Sequence, residues 1–338
     1  MLEILESFPE QCRVGANIGR NFNIPVSYRL KYKNIVCAGL GGSAIGADFA
    51  RSYLAGEANT PIIVNRNYSL PRFVNSDSLV IAMSYSGNTE ETISAYKDAK
   101  TKGAKLIVIT SGGELRRMAE KDGYTCLTIP GGLPPRCALG YSFFPLIAVL
   151  SKIGLIGDKS ASVNRTIKSL ENLRNRFVGT AAPESKNIAK KIASALYGKV
   201  PVIYASQDRI DIVATRWRGQ LAENAKVIAS SNFIPEMNHN EIMGWENPAA
   251  VIKKMVVVML RDKSDNPRIS KRMDITMDMI VNEGVQVVEV ESIGEDLLER
   301  MFSLIYIGDF ATFYLAIHNR TDPTSIDRIN YLKERLAE

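Results

Sequence analysis

Two short stretches of this sequence carry the residue types that hold an anion. The first, Gly39-Leu-Gly-Gly-Ser-Ala-Ile-Gly46, follows an apolar run and precedes a helical pattern. Its glycines permit positive φ and close backbone approach at a helix start. The second, Ser84-Tyr-Ser-Gly-Asn-Thr89, also follows an apolar run and leads into Glu90-Glu-Thr-Ile. Three hydroxyls, the backbone around Gly87 and the positive end of a helix would converge there. Each stretch alone has an ordinary explanation: a Ser/Thr-rich helix cap for the second, and for the first a G-x-G-x-x-A dinucleotide pattern from Gly39 through Gly41 to Ala44. Set together at the carboxyl ends of neighbouring strands, Gly41, Gly42, Ser43, Ser84, Ser86 and Thr89 describe a phosphomonoester site. The dinucleotide reading is weakened at Asn65-Arg-Asn67, where an acidic residue should hold a ribose hydroxyl. Arg66 could still accept a 2′-phosphate, so an NADP-linked oxidoreductase stays open.

Elements must place these loops. The β-branched runs 34–38, 61–64, 79–83, 105–110 and 125–129 alternate with helical patterns, which predicts a parallel sheet covered by helices on both faces. A mostly apolar helix is expected over 140–154, buried between domains or subunits, with a boundary in the glycine-containing stretch 154–159. The scheme then repeats with strands at 200–205, 226–230, 255–260 and 285–290, which reads as a diverged duplication lacking the glycine-rich loops. The fold class is therefore α/β: two doubly wound domains, residues 1–155 and 156–338, each a parallel sheet flanked by helices, with a C-terminal amphipathic helix over 325–336.

Composition narrows the partners. The 42 basic and 36 acidic side chains leave +6 spread along the chain, which favours small anions over nucleic acid. The basic stretch 261–272 also holds Asp262 and Asp265 and reads as a solvated loop and helix start. Cys12, Cys37, Cys126 and Cys137 show no CxxC spacing, and the acidic N-terminus lacks the pattern of a signal peptide, so a reducing cytoplasm is expected. The longest apolar stretch, 301–317, is short for a membrane span and contains Asp309; a buried helix and no membrane partner are expected.

Gly41-Gly-Ser43, Ser84-Tyr-Ser-Gly-Asn-Thr89 and the double α/β layout resemble the sugar isomerase (SIS) domain family. Pro134-Pro-Arg136, Glu223-Asn-Ala-Lys226, Asn238-His-Asn-Glu241 and Asp322-Pro-Thr324, up to Lys333, extend the likeness over nearly the whole chain, toward the archaeal-type bifunctional phosphoglucose/phosphomannose isomerases. On spacing alone Glu223, at the end of the helical run 209–224, is an ordinary helix-end carboxylate, Arg136 a loop arginine and Lys333 a solvated lysine. The resemblance implies otherwise. Glu223 would carry a proton between C2 and C1 through a cis-enediolate, and His239 would open the ring. Arg136, stiffened by two prolines, would face the enediolate oxygens, and Lys333 would reach the ring oxygen or O1. Thr324 would bear on accepting both C2 epimers. His318, the other histidine, is given no role. The resemblance also implies a homodimer whose active sites take their histidine across the interface. Two histidines without ligand spacing argue against a zinc enzyme, and the reaction needs no cofactor because no electrons leave the substrate. The expected substrates are hexose 6-phosphates: glucose 6-phosphate, fructose 6-phosphate and mannose 6-phosphate. A non-catalytic, sugar-phosphate-sensing SIS protein is the alternative; it needs the phosphate loops but not Glu223, His239, Arg136 and Lys333.

Overall fold

Strands apolar on both sides require a sheet covered on both faces, and the first five apolar runs fold that way. In the unit formed by residues 7–168, β1 (Asn34–Ala38), β2 (Ile62–Asn65), β3 (Ser78–Ser84), β4 (Lys105–Thr110) and β5 (Thr125–Thr128) make a parallel sheet. Its order is β2-β1-β3-β4-β5. Every residue of β3 is buried. The crossovers leave β1 and β3 toward opposite edges of the sheet. Their register pairs Ala38 with Ala82, so the segments after both strands open side by side at the topological switch point.

Around this sheet run α1 (Phe8–Asn21), α2 (Gly41–Leu54), α3 (Glu90–Thr101), α4 (Gly113–Asp122) and α5 (Leu139–Lys152). The helix expected over 140–154 is α5, and within its own unit α1 and α2 cover it. The approach to α1 is close. The Gln11 side chain donates to the Cys137 carbonyl and accepts from the Gly140 N–H, at 2.8 and 2.7 Å.

The second unit comprises residues 1–6 and the chain from Ser169 on. The structure, a computed structural model, describes residues 1–336. β6 (Val200–Ser206), β7 (Ser230–Ile234), β8 (Met255–Arg261) and β9 (Gln286–Glu291) form a parallel sheet ordered β7-β6-β8-β9. This repeats the first sheet's order with the fifth strand missing. α6 (Ser160–Leu173) runs from the first unit into the second, and α7 (Ile188–Leu196), α8 (Asp211–Ala225), α9 (Pro267–Asn282), α10 (Leu297–His318) and α11 (Asp327–Leu336) belong to the second.

Three expectations are corrected. The strand expected over 226–230 lies at Ser230–Ile234. Lys226 instead ends α8 in the left-handed region with φ 57°, and Ile228 is 85% exposed, so the apolar pair Val227-Ile228 sits in a connection and not in the sheet. The domain ranges 1–155 and 156–338 also shift. The division falls between Lys168 and Ser169, inside α6, and residues 1–6 join the second unit. There the Leu5 carbonyl accepts from the Tyr306 hydroxyl at 2.7 Å and the Glu6 carbonyl from Arg174 Nη1 at 2.8 Å, contacts too distant in sequence for a local pattern to announce. Residues 337 and 338 of the expected second range lie outside the described residues. Finally, the C-terminal helix begins at Asp327, two residues after the expected start.

By length and composition α10 could cross a membrane, yet 89% of its most apolar window is buried inside the protein. Asp309, in its middle, pairs with the buried Arg216 of α8 (Nη2–Oδ2 2.7 Å) and accepts from Gln220 at 3.0 Å. A buried carboxylate needs such partners, and they fix how α8 lies on α10.

Candidate active site

α2 starts at Gly41, whose φ of 51° suits a residue without a Cβ. A Cβ on Gly42 would overlap the Pro135 carbonyl oxygen. That close approach sets Arg136, in the helical turn Pro135–Cys137, beside the first loop; Arg136 is 4% exposed.

The second loop is held as tightly. Gly87 has φ 72°, and a Cβ there would overlap the Gly112 carbonyl oxygen. The Asn88 side-chain oxygen accepts from the Glu114 N–H at 3.0 Å, the Gly87 carbonyl from the Leu115 N–H at 2.9 Å, and Ser111 Oγ donates to the Tyr85 carbonyl at 2.6 Å. The segment after β4 therefore clamps the loop after β3. Sequence reading passed over this segment, although Ser111-Gly-Gly113 at a strand end was the available signal.

The hydroxyls join the loops. Ser43 Oγ accepts from the Tyr85 N–H at 3.1 Å, Ser84 Oγ from the Gly87 N–H at 3.1 Å, and Ser86 Oγ from the Asn88 N–H at 3.3 Å. Thr89 Oγ1 lies 2.9 Å from Ser84 Oγ. A hydroxyl that accepts a backbone N–H keeps its own proton to donate. Thr89 is the N-cap of α3 but makes no side-chain cap bond, so the first turn of that helix keeps the anion-attracting character of an N-terminus. Arg66, the residue that an NADP reading needs, is paired with Asp48.

In the second unit, α8 is locked in rotation by Arg216, Gln220 and Asn224, the last donating to Thr312 Oγ1 at 3.0 Å. Glu223, about 100° around the helix from Asn224, is half-buried and lines a cleft of about 470 Å³. Lys226, Val227, Ile228 and residues 325–329 line the same cleft. Lys226 Nζ donates to the Glu223 carbonyl at 2.6 Å and to the Ser325 carbonyl at 2.7 Å, tying the end of α8 to the segment that leads into α11. Its left-handed backbone is what turns the side chain back, and no sequence pattern marks a lysine for that conformation.

Thr324 is exposed beside that segment; its N–H donates to Asp322 Oδ1 at 2.7 Å and holds the Asp322 carboxyl below the usual range. His239 is exposed at the end of the helical turn Glu236–His239, directly after β7. Lys333 is exposed on α11. The structure thus gathers the loop residues and Arg136 in one unit, and Glu223 with Lys226 and the Ser325 segment in the other. Among the described residues no group of three or more His, Cys, Asp or Glu side chains is arranged to hold a metal ion.

Known proteins match this arrangement. The SIS domain family matches residues 30–125. The bacterial phospho-glucose isomerase C-terminal SIS domain matches residues 185–336. The bifunctional phosphoglucose/phosphomannose isomerase of Caldicellulosiruptor bescii is 46% identical over 338 residues, 100% of this chain and 99% of that protein. The protein of the same description from Aquifex aeolicus is 36% identical over 91% of each chain. Among solved structures, a hypothetical protein of Thermus thermophilus superimposes with a TM-score of 0.76 at 17% identity, covering 99% of this chain and 90% of that one, a likeness of fold. With both halves matched and relatives aligned end to end, the chain belongs to the SIS-domain family of bifunctional phosphoglucose/phosphomannose isomerases.

Proposed function

We propose that the chain interconverts glucose 6-phosphate and fructose 6-phosphate, and mannose 6-phosphate and fructose 6-phosphate, as a cytoplasmic homodimer that uses neither metal nor cofactor. The phosphate is held by the loops at Gly41–Ser43 and Ser84–Thr89. Glu223 removes the proton from C2 of the open aldose, giving a cis-enediolate, and returns it to C1 to give the ketose. Arg136, which is 4% exposed, stabilises the enediolate oxygens. His239 transfers the proton that opens the ring, Lys333 assists at the ring oxygen or O1, and Thr324 bears on admitting both C2 epimers.

The observation that carries this reading over a sensing role is the setting of Glu223. A protein that only senses a sugar phosphate needs no glutamate half-buried in a cleft, on a backbone whose carbonyl Lys226 ties to the Ser325 segment. The dimer is supported by α11, which buries none of its residues while exposing Ile329, Tyr331, Leu332 and Leu336.

The test is conversion of fructose 6-phosphate in EDTA, with glucose 6-phosphate and mannose 6-phosphate quantified separately. Both products are expected; tight binding without turnover would favour the sensor. Glu223→Gln should still bind sugar phosphate but lose solvent exchange of the C2 proton by about 10²-fold or more. Retained exchange would sink the assignment of the base.

A further inference from the structure

The stretch Asn238-His-Asn-Glu241 holds a second carboxylate next to the proposed ring-opening histidine, and its setting differs from that of a surface glutamate. Tyr204 on β6 and Asn232 on β7 are directly paired across the sheet. The Tyr204 hydroxyl donates to Glu241 Oε1 and Asn232 Nδ2 donates to Glu241 Oε2, both at 2.5 Å. One carboxylate thereby spans two strands. Tyr204 is fully buried, and Trp245 Nε1 donates to its hydroxyl at 3.0 Å, so the phenol proton has one direction left, toward Glu241. The same fixation extends along the turn. The Glu241 N–H is accepted by the Asn240 side chain at 2.6 Å, Asn240 Nδ2 donates to Glu236 Oε1 at 2.9 Å, and Asn238 Nδ2 donates to the buried Thr276 hydroxyl on α9 at 2.8 Å.

His239 stands exposed between Asn238, tied to α9, and Glu241, tied to β6 and β7. We infer that Glu241 is a positioning residue for His239: its carboxylate, gripped by Tyr204 and Asn232, fixes the turn that presents the imidazole to the sugar ring. This rests on the proposed role of His239. A general acid–base group loses most of its effect when displaced, and a 1 Å error costs up to about 100-fold. An amide replaces the carboxylate only at the loss of one of these hydrogen bonds, since a carboxylate accepts at both oxygens and an amide at one. Asn232 Oδ1 already accepts from the Phe233 N–H at 2.8 Å, so a glutamine at 241 would set an N–H₂ against either the Asn232 amide or the Tyr204 hydroxyl.

The experiment is a double-mutant cycle on kcat for fructose 6-phosphate, with Glu241→Gln, His239→Ala and the double variant. Glu241→Gln alone should lower kcat by about tenfold to 100-fold with KM within about twofold, and the double variant should turn over no more slowly than His239→Ala. Tyr204→Phe, which keeps the ring and removes one of the two donors, should reproduce the loss in smaller measure if Glu241→Gln folds poorly. Losses that multiply in the double variant would overturn the positioning role alone. Wild-type turnover by His239→Ala would overturn the role of His239 and this inference with it.

Discussion

Ser86 carries the exposed hydroxyl of the second loop proposed to hold the phosphate, and its oxygen already accepts from the Asn88 N–H, so its proton is the part left to offer a ligand. A contact to the phosphate is made equally in the ground and transition states, because the reacting carbons lie at the other end of the sugar. Ser86→Ala should therefore raise KM by about tenfold to 100-fold, the worth of a hydrogen bond to a charged group, while kcat holds. Initial-rate kinetics on fructose 6-phosphate decide it, and a loss confined to kcat would remove Ser86 from the phosphate set. The turn around Ser86 was legible because its signal is local: glycines that free the backbone and hydroxyls a few positions apart. Lys226 and Glu241 were not, although both stood in quoted motifs. Lys226 acts through a left-handed backbone, and Glu241 through two partners on different strands.

Strands were legible where burial on both faces leaves a continuous apolar run, as in β1, β3, β4 and β8. The strand β7 was misplaced because Ser230-Ser-Asn-Phe-Ile234 has a polar start, while the more β-like Val227-Ile228 precedes it. Polar groups at strand ends also set a pH dependence that no periodicity contains. Asp262, just past β8, is 4% exposed. It accepts from Arg300 Nε at 2.7 Å, Ser264 N–H at 3.0 Å, Ser264 Oγ at 2.5 Å and Ser292 Oγ at 2.8 Å. Burial pushes its pKa up, but the Arg300 and serine hydrogen bonds outweigh burial and leave it lowered. A depressed carboxylate contributes stability that is present above its unfolded value of about 3.9 and is lost as pH falls through the lower folded value. Asp265 works in the opposite sense, because burial raises it, so the comparison must keep Asp265 intact. Asp262→Asn should lower the melting temperature of the second unit at pH 7 by roughly 6–12 °C, the equivalent of about 3 kcal/mol for a broken buried pair. The gap to the unmutated protein should narrow below about pH 3.9. A gap constant from pH 7 to pH 2.5 would show that the loss is one of packing and not of charge.

For the whole chain, the double α/β layout was legible as a repeated alternation, and the strand order repeats with four strands in place of five. The position of the division was not, because the first six residues belong with a unit whose other residues begin at Ser169. The proposed dimer has a consequence that a single chain does not. If each active site takes Glu223 from one subunit and His239 from its partner, two inactive variants can repair each other. In a hybrid of Glu223→Gln and His239→Ala chains, one site receives both defects and the other receives an intact Glu223 and an intact His239. Equal amounts mixed at random give half the dimers as hybrids, so activity should return to about one quarter of the unmutated level after the subunits are dissociated and reassembled. Each variant treated alone should stay inactive, which excludes recovery by refolding. If Glu223 and His239 served a site within one subunit, every hybrid site would keep one defect and mixing would restore nothing. Recovery near one quarter therefore establishes a shared site, and its absence in a sample shown by mass to contain hybrids assigns both residues to the same chain.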